Sequence, residues 1–185
     1  MKILIIIILP VIYTYKARKR IKKSQNKVKE NWNKIDELLK VRNDIIPELI
    51  DVTKKYINRD DILNSISNAR KDLLISRDYQ EKMENSNKLT SELGYLFSIT
   101  EDYVNLKENG NFIDIQNKIH DTEDQISKSK KRYNISVTDY KKKTNGFPSK
   151  IIAYVFKFKP AIVFEEAKKI EPQKPEIEEV EVLEL

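Results

Sequence analysis

The 185-residue chain predicts an all-α fold, an antiparallel bundle of about four long helices behind an N-terminal hydrophobic membrane segment. Three observations carry this. Only 3 Gly and 6 Pro punctuate the sequence, so turns are few and the elements between them long. From Val28 to Tyr140 apolar residues recur every three or four positions, the period of a helix face. Charged residues make up 35%, enough to solvate the faces opposite those stripes, and the length fits a single domain. The absence of Cys excludes a disulfide framework, a thiolate metal site and a cysteine nucleophile.

Residues 1–15 form the first segment. The run ILIIIILPVIYTY, 3–15, is uncharged over 13 residues, and KARKRIKK follows at once. At ~1.5 Å per residue such a helix reaches roughly 20 Å, against a hydrocarbon core of about 30 Å. A signal peptide lacks its cleavage site here, because Tyr13 to Ala17 reads YTYKA with Lys where a small residue is needed. A lone strand would have no pairing partner. The favoured reading is a short transmembrane or anchoring segment that thins the bilayer locally. Lys16, Arg18, Lys19, Arg20, Lys22 and Lys23 are the expected lipid-headgroup contacts. Lying on the carboxyl side of the stretch, they predict a single-pass protein of the cell membrane, with its N-terminus outside and its C-terminal domain cytoplasmic.

Residues 16–146 are read as the cytoplasmic bundle. Val28, Trp32, Ile35, Leu38, Leu39, Ile45, Ile46, Leu49, Val52 and Tyr56 form one helix face, which Pro47 should kink or break near Asn43 to Pro47 by removing a donor and crowding the Asn43 carbonyl. Asp60 or Asp61 is expected to cap a second helix reaching about Ile75. A third helix is expected over about Tyr79 to Lys107, stopped by ENGN at 108–111 with Gly110 free to take positive φ. The fourth carries the cleanest stripe, Phe112, Ile115, Ile119, Ile126, Tyr133, Val137 and Tyr140, spacing that packs antiparallel neighbours into a bundle. Gly146 and Pro148 end it.

Residues 147–164 are dense in aromatic and branched side chains but too short and lysine-rich to span a bilayer. They read as an apolar flap over the bundle's open edge, or as a membrane-interface segment. Residues 165–185 hold eight Glu and three Lys, a net charge of minus five, which leaves plus eleven on residues 1–164. That composition predicts an acidic disordered tail.

A set of ordered strings resembles one family, the LemA proteins, bacterial membrane-anchored helical bundle proteins. The strings are WNKID from Trp32, RNDIIPELI from Arg42, Ala69-Arg70, EDYVNLK from Glu101 and NFIDIQ from Asn111. They continue with Thr122-Glu123-Asp124, Arg132-Tyr133-Asn134 and Phe147-Pro148-Ser149. Together they cover residues 28–164, while Val41, Val104, Lys130 and Lys141 depart from the usual residues. The resemblance implies an N-terminal anchor and a cytoplasmic antiparallel bundle, and it supplies no reaction.

The polar residues in the strings, Asp36, Arg42, Asp44, Arg70, Glu101, Glu123 and Asn134, are candidates for a charge network that sets helix register or docks a partner. Solvated ion pairs are the plainer alternative. No catalytic residue, metal or cofactor is expected. A di-iron bundle needs two Glu-x-x-His pairs, and the single His120 follows Asn117 by three. His120 itself is expected exposed or packed at an edge. No phosphate-cradling glycine motif occurs. The expected function is therefore a non-catalytic binding or scaffolding module at the cytoplasmic face of the membrane. Its partners would be membrane lipids and another membrane or envelope protein, with homo-oligomerisation left open. Two rivals are a hydrolase or lipid-modifying enzyme using Glu123 and His120, and a basic nucleic-acid binder. Nucleic acid is disfavoured, since the positive charge sits where membrane topology alone would put it.

Overall fold

The computed structural model describes residues 2–164, with side chains from Pro10 onward; the acidic tail of 165–185 lies outside the described residues. Six helices follow one another: α1 Lys2–Thr53, α2 Asp60–Ile75, α3 Tyr79–Thr100, α4 Val104–Lys107, α5 Gly110–Asn145 and α6 Ser149–Val155. No strand occurs among the described residues. The predicted all-α architecture is the observed one.

Several local expectations are corrected. α1 is one helix of 52 residues, about 78 Å of rod, and it does not break at Pro47. Pro47 does leave the Asn43 carbonyl without its helical donor, but Arg70 of α2 reaches across and donates its Nε–H to that oxygen at 2.8 Å. The missing bond is made from outside the helix, so the helix continues. α2 starts after Arg59, whose side chain makes no cap bond, while Asp60 and Asp61 lie in the first turn, where their charges face the positive helix end. The third helix divides: α3 stops at Thr100, and a three-residue turn precedes the single turn of α4. Gly110 is the first residue of α5 and has no positive φ. Asn109 does the capping instead, accepting the Phe112 amide at 2.9 Å.

No helix among the described residues is long and apolar enough to cross a membrane. The uncharged stretch of 3–15 is the amino end of α1, and the same helix carries the basic cluster directly behind it. The expected single-pass span is therefore not supported by the described helices.

α1 and α5 run antiparallel as the long axis of the molecule, joined by Ser24 to Asp139 at 3.0 Å near one end and Arg42 to Glu123 further along. α2 and α3 form a shorter antiparallel pair, tied by Lys88 to Asp72 at 3.1 Å and Asn85 to Ser76 at 3.0 Å. α3 runs parallel to α1 and begins at Tyr79, whose ring stacks on Trp32 at 4.2 Å between centroids. The four-helix cross-section thus exists only from Trp32 toward Thr53. On the other side of Trp32 the α1–α5 pair continues as a two-helix stalk.

Two helices alone leave a seam open, and residues 156–164 close it. This strap runs along α5, where the Tyr140 hydroxyl donates to the Lys159 carbonyl at 2.7 Å and the Tyr133 hydroxyl to the Ile162 carbonyl at 2.9 Å. The Asn134 side-chain amide both donates to the Phe164 carbonyl and accepts its N–H, each at 2.7 Å, as a neighbouring strand would. Phe164 is 1% exposed, set against Trp32 and beneath the Lys130 ammonium at 4.3 Å from the ring centre. A single core cluster runs from Ala17 to Phe164.

Candidate functional site

Arg42 is the largest fully buried side chain. A buried guanidinium needs partners for its fork of donors; two neighbouring helices supply them to both terminal nitrogens, while the buried Nε–H has none among the described residues. Nη1 donates to Glu123 of α5 and to the Thr90 hydroxyl of α3 at 2.8 Å. Nη2 donates to the Ser86 carbonyl at 3.3 Å and its hydroxyl at 3.2 Å. The Thr90 hydroxyl also lies 3.3 Å from Glu123, closing a ring of contacts between α1, α3 and α5. One residue thereby bridges three helices.

The other predicted polar residues divide. Asp36 is half-buried, pairs across the α1–α3 seam with Lys82 at 2.7 Å, and meets Lys40 of its own helix at 3.0 Å. Burial pushes its carboxyl up, yet the two lysines outweigh that and hold it below the usual carboxylate range. Arg70 fills the Asn43 carbonyl, and Asn134 fastens the strap. Asp44 and Glu101 are exposed and take no part in these seams. His120 is exposed as expected, and Glu123 is engaged by Arg42 rather than by the histidine.

The second feature lies along the stalk. A groove of about 1160 Å³ opens between the amino half of α1, the end of α5 and the start of the strap. Of the six expected headgroup residues, Arg18, Lys19, Lys22 and Lys23 line it; Lys16 lines a separate cleft and Arg20 lines neither. Lys143, Lys157 and Lys159 add positive charge from the opposite wall. Asp139, one of its two acidic groups, is already spent. Lys143 at 2.6 Å holds its carboxyl below the ordinary range against slight burial, with help from Ser24. The Arg18 guanidinium caps the groove by lying 4.5 Å from the centre of the Phe156 ring.

The basic character has a simple source in the sequence. Neither residues 1–29 nor residues 140–164 contain a single Asp or Glu, and together they hold 15 of the 35 Lys and Arg. The fold brings these two acid-free segments side by side.

Sequence reasoning placed Tyr133 and Tyr140 in the apolar stripe but missed their hydroxyls as fasteners. Their seven-residue spacing with polar tips was the available signal. It also missed Ser86, Thr90 and Lys82 as partners, because nothing local marks which polar residue of α3 will face α1. Among the described residues no group of His, Asp and Glu is arranged to hold a metal ion.

Fold and sites define a helical bundle protein, with one buried arginine bridging three helices and a stalk carrying a basic groove. The chain belongs to the LemA family, with residues 31–178 matching it. No curated protein matches the chain.

Proposed function

We propose that the chain is a non-catalytic binding or scaffolding module held at the cytoplasmic face of a membrane by the amino end of α1. The observation that carries this reading is the unbroken α1, which joins the uncharged stretch, the basic belt and the Arg42 seam in one rigid rod. A rod of that kind transmits position rather than chemistry. The uncharged stretch is short of a full span, so attachment relies on local thinning and on basic side chains reaching the headgroups. The basic belt favours the orientation with the amino terminus outside and the bundle inside. Glu123 is a poor candidate for general acid–base work while it is the counter-ion of a buried arginine.

Fractionation of cells expressing the full chain tests the attachment. The chain is expected with the membranes, and Ile5→Asn/Ile7→Asn is expected to release it; a chain that stays in the soluble fraction overturns the reading. Protease digestion of a carboxyl-terminal tag in intact spheroplasts tests the orientation, and cleavage there reverses it. For the binding role, a photo-crosslinker at Ile135, 70% exposed on α5, is expected to trap a discrete membrane or envelope protein.

A further inference from the structure

α6 is attached to the stalk by Ile152 and Ala153, which are buried, and yet its other face is as apolar as the attached one. Ile151, Tyr154 and Val155 are 57%, 86% and 63% exposed, and Phe147 just ahead of them is 87% exposed. The three helical residues share one face by their spacing of three and four. Water gains nothing from such a face, and exposed apolar clusters rimmed by polar groups mark interaction surfaces. α6 does not stand alone. Together with Pro148 just before it, Ile151 and Ile152 share a cleft of about 660 Å³ with Pro10, Ile12 and Tyr13 of α1, so the apolar patch continues onto the uncharged end of the rod. Val11 and Tyr15 there are 61% and 69% exposed.

The rim is basic. Lys16 and Lys150 flank the patch, and the groove with Arg18, Lys22, Lys157 and Lys159 begins where α6 ends. Lys157 sits at φ 52, a left-handed backbone that favours glycine, just past the end of α6. A lysine at this position keeps a charge on the groove wall that glycine would remove.

We propose that the stalk tip is a second, interfacial membrane contact, which begins at the carboxyl end of the uncharged stretch of 3–15 and extends it through α6. α6 lies in the headgroup layer of an anionic bilayer, Phe147, Ile151 and Tyr154 enter the acyl boundary, and the basic groove takes lipid phosphates. Charge complementarity chooses the occupant: a surface built from two acid-free, lysine-rich segments is matched by an anionic lipid surface, and the aromatic rings suit the boundary between headgroup and chain. The proposal rests on membrane attachment of the chain.

Full-length Phe147→Trp tests it, mixed with vesicles of phosphatidylcholine or of phosphatidylcholine with phosphatidylglycerol, each carrying brominated acyl chains. Trp32 is 3% exposed in the bundle, so the parent chain supplies the background emission. The expected result is a blue shift and quenching of the introduced tryptophan on phosphatidylglycerol vesicles. Lys157→Gln/Lys159→Gln in that background is expected to lower the quenching toward the level on phosphatidylcholine. Unchanged circular dichroism serves as the control for folding. A chain that pellets with vesicles while the introduced indole stays unquenched overturns the proposal and leaves the attachment standing. Equal quenching on both lipids overturns the role of the basic rim. A chain that pellets with neither vesicle overturns both.

Discussion

Arg42 shows how much a single buried charge can decide. Its guanidinium is out of water, and its partners come from α3 and α5, so removing it takes from Glu123 its charged partner, while the Ser86 carbonyl keeps the Thr90 hydroxyl as a donor. Arg42→Met is expected to cost about 3–5 kcal/mol in urea unfolding. Replacing both ends, Arg42→Met with Glu123→Leu, should recover most of that, because an apolar pair of similar volume leaves no uncompensated charge. If the double variant is no more stable than the single one, the pair is not the unit that sets the seam. Tyr133 gives a pH signature. Burial, with a smaller contribution from Tyr79, pushes its phenol up from 10.0 to about 12. A group raised on folding stabilises fully below its unfolded pKa and loses that contribution as pH rises through the folded one. The stability advantage of the parent chain over Tyr133→Phe should therefore hold below pH 10 and shrink between pH 10 and 12, as followed by denaturant titration at each pH.

At the scale of elements, a proline inside α1 is tolerated because another helix answers it. Arg70→Met removes the Nε–H from the Asn43 carbonyl and is expected to cost about 1.5–3 kcal/mol, the range for a bond with a charged partner. Pro47→Ala in the same background restores a backbone donor to that carbonyl, so it should recover part of the loss. Simple additivity in the double-mutant cycle would mean that the two residues do not act on one oxygen. The end of α6 offers the opposite case. The Phe158 amide donates to the Ala153 carbonyl at 2.9 Å and the Lys157 amide to Tyr154 at 3.1 Å, the bonds of a helix closed by one left-handed residue. Lys157→Gly relieves that backbone and should raise stability by up to about 1 kcal/mol, net of glycine's greater freedom in the unfolded chain. A lower thermal midpoint would show that the lysine side chain itself holds the strap.

At the scale of the whole molecule, charge is sorted along the chain and again in space. The tail of 165–185 is minus five by sequence, while the stalk gathers the acid-free segments. Converting the eight tail glutamates to Gln should strengthen binding to anionic vesicles, most at low salt, where a tethered acidic segment repels the surface over a longer Debye length. Indifference to these changes at low salt would mean that the tail charge does not reach the stalk's field.

Helix faces and the acidic and basic ends were legible in the sequence, because periodicity and composition are local properties. The apolar stripes from Val28 to Val52 and from Phe112 to Tyr140 are buried, Ile45 only in part, while Tyr56 lies past the end of α1 and is exposed. Arg42, Arg70 and Asn134 were legible as candidates, but their roles were not. Whether α1 breaks at Pro47 depends on a guanidinium 23 positions away from it in sequence. Whether the tyrosines of α5 are only core depends on a strap that comes back along them. The sequence by itself determined which residues avoid water and where charge accumulates. Only the tertiary structure decided which polar groups satisfy one another and that the two acid-free segments meet, since such pairings are set by helix packing across long stretches of chain.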